Sequence, residues 1–256
     1  GSPSGGEAIK KPGASCPLVF AMVECTQARG GELAAAMNGK PPARSRVTLH
    51  FAQSHDGRIA TRTGSARWIS GPLATRFAHE LRAASGAVII GSGTALADDP
   101  LLTVRLVPGA HPLRVVLDAR ARLPASLRLF HDGVAPTLHV TCAPPTNEAA
   151  PHVERWCLPP GPAGEGVDLA ALLARLEARG VHEVLVEGGH RILTAFLRAR
   201  LVDRLILTVA PMIVGSGIDA VGELGVEHIV DAQRFAVGSI AQLESLERVV
   251  SRLPGS

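Results

Sequence analysis

The stretch from Gly180 to Pro211 constrains the fold of this chain more than any other. An apolar run over 181–186 ends in Glu187 and is followed by the pair Gly188-Gly189. The apolar residues that follow recur at helical spacing: Ile192, Leu193, Phe196 and Leu197. A second apolar run covers 205–210. This order of strand, glycine turn, helix and strand is typical of a nucleotide-binding α/β unit.

The glycine turn in this unit predicts a ligand site. Two glycines let a ligand approach the backbone, and the free N–H groups of a helix N-terminus favour an anion. Glu187 lies at the carboxyl end of the predicted strand, where ligands of open α/β sheets bind. A carboxylate at this position can also cap the following helix through its free N–H groups. The residues alone leave both interpretations open.

The rest of the chain repeats the alternation of strands and helices. Strands are predicted at 47–51, 87–90, 113–117 and 137–141. Helices are predicted at 72–84 and 168–178, the second capped by Asp168, and closing antiparallel strands at 235–240 and 246–250. Residues 144–162 are interpreted as a proline-rich surface connection. The pattern predicts an α/β fold with a mostly parallel central sheet, helices on both faces and antiparallel C-terminal edge strands. Residues 1–45, in which 18–23 can form one short strand, are interpreted as an extension or linker outside the core, and 46–254 as one domain.

The composition excludes several classes of function. The net charge is only +3, aromatic residues make up 3% of the chain, and the basic residues are scattered, so a nucleic-acid partner is not expected. The four cysteines form no CxxC pair, which argues against a zinc site and favours a reduced cytoplasmic chain. No apolar run reaches the roughly 18 residues that a membrane span needs.

Three further motifs each allow a functional and a structural interpretation. Gly91-Ser92-Gly93-Thr94 after a buried strand is either a phosphate or nicotinamide turn or a plain tight turn. In Asp98-Asp99, the carboxylates form an acid/base pair or metal site, or one caps a turn while the other is exposed. Arg82 and Arg105 are either a clamp for a phosphate or solvated surface residues.

Taken together, five segments resemble a known family. They are VTLHFAQSHDGRIA (47–60), GSARWIS (64–70), ELRAASGAVIIGSGTALADDPLLTVR (80–105), LRVVLD (113–118) and VLVEGGHRILTAFLRARLVDRLILTVAP (184–211). In order and spacing, these segments resemble the reductase domain of the bifunctional riboflavin-biosynthesis deaminase/reductase family over about residues 46–250. The resemblance implies a dihydrofolate-reductase-like fold that uses NADPH.

The resemblance also implies roles for individual residues. The NADPH-binding residues would be Ala52, Trp68, Thr94, Asp98, Gly188, Gly189, His190, Arg191, Ile192 and Leu193, within a segment that extends to Ala195. The substrate-binding residues would be Arg82, Leu102, Arg105 and Glu187, with both arginines near a ribose 5′-phosphate. The implied reaction is hydride transfer to C1′ of the ring-opened ribosyl group of a phosphoribosylamino-pyrimidine. Asp98 and Glu187 are the candidate proton donors, no metal is required, and a cytoplasmic homodimer is expected.

The chain departs from the family pattern at three points. His50 stands where the family usually has Lys, Ala66 stands where it usually has a substrate-contacting Ser, and the His-x-Glu and Pro-Cys-x-x-Cys motifs of the zinc deaminase half are missing. Two alternatives therefore stay open. One is the same fold and cofactor with a different substrate, and the other is a nucleotide-binding module without turnover.

Overall fold

The structure, a computed structural model, describes residues 20–27, 44–66, 69, 71–144 and 150–243. These residues form eleven strands: β1 (Phe20–Gln27), β2 (Arg46–Ser54), β3 (Arg58–Thr61), β4 (Ala87–Gly91), β5 (Leu113–Leu117), β6 (Thr137–Thr141), β7 (Val153–Cys157), β8 (Glu183–Glu187), β9 (Arg204–Ala210), β10 (Gly217–Asp219) and β11 (Phe235–Leu243). The described helices are α1 (Pro72–Ala83), α2 (Ser92–Asp98), α3 (Arg128–His131), α4 (Leu169–Ala178), α5 (His190–Arg198) and a 3-10 turn (Ile229–Asp231).

Nine of the strands form one sheet in the order β11-β1-β9-β2-β8-β4-β5-β6-β7. Every neighbouring pair from β9 to β7 is parallel, whereas β1 pairs antiparallel with both β9 and β11. The predicted mostly parallel sheet with antiparallel pairing at its C-terminal edge is confirmed. The second predicted closing strand, 246–250, lies outside the described residues.

Strand β1 corrects the interpretation that nothing within residues 1–45 belongs to the core. It lies inside the sheet, between β9 and β11, and its Cys25 is buried. A strand at this position pairs with the backbone N–H and C=O groups that β9 and β11 turn towards each other. The division of the chain into an extension and a domain at residue 45 stays a prediction.

Helices cover both faces of the sheet, as the sequence predicted. Along β4, Ile89 packs on the face covered by α4 and α5, while Val88 and Ile90 pack on the face of α1. Side chains of successive strand residues point to opposite faces, so a strand covered on both sides is apolar throughout. Among the described residues, no helix combines the length and the apolar character that crossing a bilayer requires.

One local expectation was wrong, and one of two alternatives left open by the sequence is excluded. The connection 144–162 contains strand β7, whose Val153 and Trp156 are buried. The alternation of apolar and polar residues in β7 is short and is flanked by prolines, so the sequence pattern did not predict a strand there. The segment from Gly91 to Thr94 is not a plain turn, because Gly91 is the N-cap of α2 and the following residues are helical. In contrast, Asp168 caps α4 as predicted, accepting the Ala171 N–H at 3.0 Å.

Candidate active site

The candidate site lies at the carboxyl ends of β2, β8 and β4, which are neighbours in the sheet. His50 and Glu187 are register partners on β2 and β8, so their side chains point to the face covered by α1. Strand β4 ends beside them at Gly91, where α2 begins. In an open parallel sheet this edge is where ligands bind, because the connecting loops diverge there.

Arg82 and Glu187 form a bidentate ion pair at the centre of this site. Arg82 Nε donates to Glu187 Oε1 at 2.8 Å and Nη2 donates to Oε2 at 2.5 Å, and both side chains are 14% exposed. Glu187 therefore does not cap α5, whose N-cap Gly189 makes no side-chain cap hydrogen bond. The ion pair also compensates the positive charge of Arg82. From the sequence alone, Arg82 was considered as part of a phosphate clamp without this partner.

Arg105 lies beside this pair on the irregular segment 99–105 (the substrate segment), which follows α2. Its exposed side chain donates from Nη1 to Thr103 Oγ1 at 2.6 Å, and Arg82 Nη1 approaches the Thr103 carbonyl at 3.4 Å. Burial, with the neighbouring positive charges of Arg82 and Arg128, lowers the pKa of Arg105. The structure thus brings Arg82, Arg105 and Glu187 into one cluster. Leu102 on the same segment is buried and has a left-handed backbone, with a φ of 51°.

The glycine turn after β8 packs against the start of α2. Thr94 Oγ1 accepts the N–H of Gly189 at 3.1 Å. A Cβ on Gly188 would lie 2.7 Å from Ile192 Cγ2, so only glycine fits there, whereas a Cβ on Gly93 would meet nothing within 4 Å. The turn is therefore closely packed at Gly188, whereas the start of α2 beside it is open at Gly93.

The predicted residues of α5 divide by the direction of their side chains. Ile192 and Leu193 are buried in the core, so only their backbone can face a ligand. Arg191 is exposed, and His190 makes a 2.8 Å hydrogen bond between Nδ1 and the Asp219 carbonyl. The half-buried Ala52 packs with Ile69, Ala210 and Met212, and the predicted Trp68 lies outside the described residues.

The two adjacent carboxylates have different environments. Asp99 Oδ1 accepts the backbone N–H of Arg128 at 2.8 Å, so it caps the start of α3. Asp98 is exposed at the end of α2. This is the interpretation in which one carboxylate caps and the other is free. Among the described residues, no group of three or more His, Cys, Asp or Glu side chains can hold a metal ion.

Two buried histidines of the site were not among the predicted site residues. His50 is 8% exposed, lies edge-on to Phe77 with ring centroids 5.9 Å apart, and has Nε2 3.4 Å from Thr208 Oγ1. Burial lowers its pKa, Glu187 opposes that effect and Arg82 adds to it. His79 is 2% exposed and accepts the Arg105 backbone N–H at Nδ1. The available signal was its position three residues before Arg82, which places both on one side of α1.

Comparisons with known proteins point to one family. The sequence model of the RibD C-terminal domain matches residues 45–243. The 2,5-diamino-6-ribosylamino-4(3H)-pyrimidinone 5′-phosphate reductase of Methanothermobacter thermautotrophicus is 40% identical over 196 residues, covering 74% of this chain and 89% of that protein. Riboflavin biosynthesis protein RibD of Aquifex aeolicus is 36% identical over 198 residues, covering 77% of this chain and 54% of that protein.

Solved structures agree with the sequence comparison. RibD of Acinetobacter baumannii superposes with a TM-score of 0.66 at 32% identity, covering 76% of this chain and 54% of that one. The riboflavin biosynthesis reductase Rib7 of Saccharomyces cerevisiae superposes with a TM-score of 0.60 at 26% identity, covering 73% and 82%. This chain spans about half the length of the RibD relatives it matches. The fold is the expected dihydrofolate-reductase-like one, and the chain belongs to the RibD C-terminal domain family.

Proposed function

We propose that this chain is an NADPH-dependent oxidoreductase of riboflavin biosynthesis. It reduces the ribosyl group of a 5-amino-6-(5-phosphoribosylamino)pyrimidine to the ribityl form. The observation that carries the proposal is the Arg82–Glu187 pair, which lies beside Arg105 and next to the Gly188-Gly189 turn. This cluster combines a carboxylate for a polar heterocycle, guanidinium donors for a phosphate and a backbone surface for a dinucleotide.

The residues present fit NADPH. The N-terminus of α5 has no side-chain cap, so its first N–H groups can donate to a phosphate. Gly93 faces open space, and Thr94 holds the turn that precedes α5 through Gly189. Thr94, Gly188, Gly189 and the backbone of 190–193 would hold the cofactor, with Ala52 at its other end. When bound, NADPH supplies the hydride.

The substrate would lie between Arg105 and the Arg82–Glu187 pair. Arg105 binds the 5′-phosphate with its exposed guanidinium, while Glu187 accepts from an N–H of the pyrimidine and Arg82 fixes that carboxylate in place. The open-chain imine gains a hydride at C1′ and a proton at the attached nitrogen, so its C=N bond becomes a C–N single bond. Asp98 and Glu187 are the proposed sources or relays of that proton. Holding the two reactants together in a dry cleft is the main contribution of the protein.

The test is oxidation of NADPH with the diamino and the deaminated pyrimidine 5′-phosphates, followed by the absorbance of the reduced nicotinamide. Pyrimidine-dependent oxidation supports the proposal. Arg105→Ala should raise the substrate KM by about 100-fold, the loss expected for a hydrogen bond to a charged group, and leave NADPH affinity unchanged. The matched control is Arg46→Ala, because Arg46 pairs with Glu183 at the opposite end of the strands and is exposed. If Arg105→Ala weakens NADPH binding instead, the assignment of Arg105 to the 5′-phosphate of the substrate is wrong.

A second candidate is a reductase of the same fold with a different substrate. It is favoured by His50, whose buried imidazole replaces the flexible cation usual in the family, and by the Ala66 replacement of a hydroxyl. Tight NADPH binding without pyrimidine-dependent oxidation would favour this candidate when other carbonyls or imines are turned over. Binding without any turnover would indicate a nucleotide-binding module.

We also propose that the protein is a cytoplasmic homodimer. The edge strand β11 exposes Val237 by 61% and Ile240 by 59%, and nearby Ile229 and Val230 are exposed by 82% and 73%. An apolar surface of this kind is typical of an association surface. Light scattering should give the mass of a dimer, and Ile229→Glu should shift it towards the monomer. A monomeric mass for the unchanged protein would contradict this part of the proposal.

A further inference from the structure

The substrate segment (99–105) has a backbone that its own sequence does not favour. Asp99 and Leu102 have φ values of 38° and 51°, a left-handed conformation that is costly for residues with a Cβ. The segment has no regular secondary structure to hold it. Such a conformation persists only where surrounding groups impose it. The groups that impose it therefore also fix the position of Arg105.

Beyond Asp99, imidazole and guanidinium side chains make hydrogen bonds to the backbone of the segment. His79 Nδ1 accepts the Arg105 N–H at 2.9 Å, and His111 Nδ1 accepts the Val104 N–H at 3.2 Å. Arg114 Nη1 donates to the Leu101 carbonyl at 3.3 Å. Only one of these contacts reaches Arg105 itself. His79 makes it from within α1, 2% exposed and three residues before Arg82.

We propose that His79 is a positioning residue for substrate binding: its neutral imidazole accepts the Arg105 N–H and so holds the guanidinium of Arg105 beside Arg82. The identity of the substrate in this inference rests on the proposed function, whereas the contact between His79 and Arg105 is independent of it. One turn of α1 then places both arginines of the site. Arg82 is placed through its own side chain, and Arg105 through the imidazole that binds its backbone.

The contact requires one protonation state of His79. An acceptor at Nδ1 means that the proton of the neutral ring is on Nε2. Burial lowers the pKa of His79, and so do the charges of Arg82 on α1 and Arg105 on the substrate segment, whereas Glu187 on β8 opposes them. Protonation of Nδ1 would place an N–H against the N–H of Arg105. Acidification should therefore release the substrate segment.

The test compares two variants of His79. His79→Leu keeps an apolar side chain but removes the acceptor, and His79→Asn places its amide oxygen close to the position of Nδ1. We expect His79→Leu to raise the KM for the pyrimidine phosphate roughly 10-fold by leaving the Arg105 N–H unsatisfied. The turnover number and the NADPH dissociation constant should stay unchanged. In His79→Asn the KM should return most of the way to the value of the unchanged protein. His182→Leu is the matched control, because that histidine is 67% exposed and pairs with Glu177.

Two measurements separate positioning from packing. The KM of the unchanged protein should rise below the lowered pKa of His79, beyond the rise that ionisation of the substrate phosphate causes in His79→Asn. If both profiles coincide, the proposal is wrong, and this comparison stands even where His79→Leu does not fold. Equal KM values for His79→Asn and His79→Leu would also overturn it, since ring packing would then explain the effect.

Hydrogen exchange of the Arg105 amide tests the contact without any substrate. Exchange should be slow in the unchanged protein and in His79→Asn, and faster in His79→Leu. If the unchanged protein shows no pyrimidine-dependent NADPH oxidation, the proposed function fails while this measurement still decides the role of His79. Equal exchange in all three proteins would overturn the inference even if turnover is observed.

Discussion

Two bidentate arginine–carboxylate pairs lie on the same side of the sheet but in different regions. Arg82 pairs with Glu187 in the cleft, and Arg114 pairs with Asp132 in the outer region formed by β5–β7. Arg114 is fully buried, and its other donors go to Thr137 Oγ1 and the carbonyls of Leu101, Leu129 and Ala135. In the cleft, by contrast, Arg82 has one further contact, the 3.4 Å approach to Thr103.

The difference shows how the same ion pair can serve structure or function. A buried charge is stable only when its hydrogen-bonding groups are satisfied by the protein, and the partners of Arg114 fulfil that condition. Arg82 and Glu187 are each 14% exposed and face the cleft, so they can still bind a ligand. The Arg114–Asp132 pair connects α3 to the sheet and has its hydrogen-bonding groups satisfied by the protein. The Arg82–Glu187 pair can still form hydrogen bonds with a substrate.

The largest expected effect is on stability, from Arg114→Met. The change leaves the carboxylate of Asp132, only 11% exposed, without its guanidinium partner and also removes a guanidinium donor from three carbonyl groups. Breaking a buried pair in this way costs about 3–5 kcal/mol of unfolding free energy. Urea denaturation should show that loss. The exposed pair Arg46–Glu183 is the control, since Arg46→Met should cost about 0.5 kcal/mol or less.

The next effect should appear in turnover rather than stability. Arg82→Met removes the donors that orient Glu187, so kcat/KM for the pyrimidine phosphate should fall about 100-fold. The loss of unfolding free energy should be smaller than for Arg114→Met, because water can reach the freed Glu187 from the cleft. The comparison of the two pairs fails if both variants lose the same stability in urea.

Much of the fold could be predicted from the sequence because strands buried on both faces of the sheet are apolar at every position. The wholly apolar run of β4 and the cap Asp168 are local signals, and each was identified. Strand β7 was missed, and the possible short strand at 18–23 was assigned to an extension outside the core, because both patterns are weak and the place of each strand depends on distant partners. β1, for example, pairs with β9 about 180 positions away.

The site was predicted residue by residue but not as an arrangement. Arg82 and Glu187 were both singled out, yet their contact joins positions 105 apart and contradicts the capping interpretation of Glu187. The role of His79 depends on a backbone N–H, which carries no signal in the identity of Arg105. Side-chain chemistry can be inferred from sequence, whereas backbone donors become visible only in the fold.

The pH dependence of stability tests whether His50 stays neutral beside the cleft pair. Burial lowers its pKa below the ordinary 6.5, so between the two values only the unfolded chain binds the proton. Stability is therefore fully present above pH 6.5 and falls as the pH drops towards the folded-state value. The slope from one group is at most about 1.4 kcal/mol per pH unit. Chemical denaturation at a series of pH values should show a shallower slope for His50→Gln.

The control for this measurement is His182→Gln, which alters an exposed histidine. Equal slopes for His50→Gln and the unchanged protein would mean that folding does not lower the pKa of His50, so that below pH 6.5 the folded protein carries a proton there as the unfolded chain does. Glu187 would then have two cationic neighbours, and the contrast between the cleft pair and the Arg114 pair would need revision.

The smallest effect concerns space rather than charge. In the cleft, a Cβ on Gly93 would meet nothing within 4 Å, whereas in the outer region a Cβ on Gly161 would lie 2.8 Å from the Glu165 carbonyl oxygen. Gly93 lies within α2, so Gly93→Ala should raise the unfolding free energy by about 0.5–1 kcal/mol through the lower backbone entropy of alanine. Gly161→Ala should lower it, because the carbonyl must move.

The Gly93→Ala variant also tests whether the open space beside Gly93 is occupied by the cofactor when NADPH binds. If the cofactor lies against Gly93, the added methyl group should weaken NADPH binding while it stabilises the protein, and titration calorimetry beside urea denaturation measures both. A glycine kept at a cost in stability is expected where a ligand approaches the backbone. Stabilisation with unchanged NADPH affinity would move the cofactor away from α2 and leave the α5 turn as its only proposed phosphate contact.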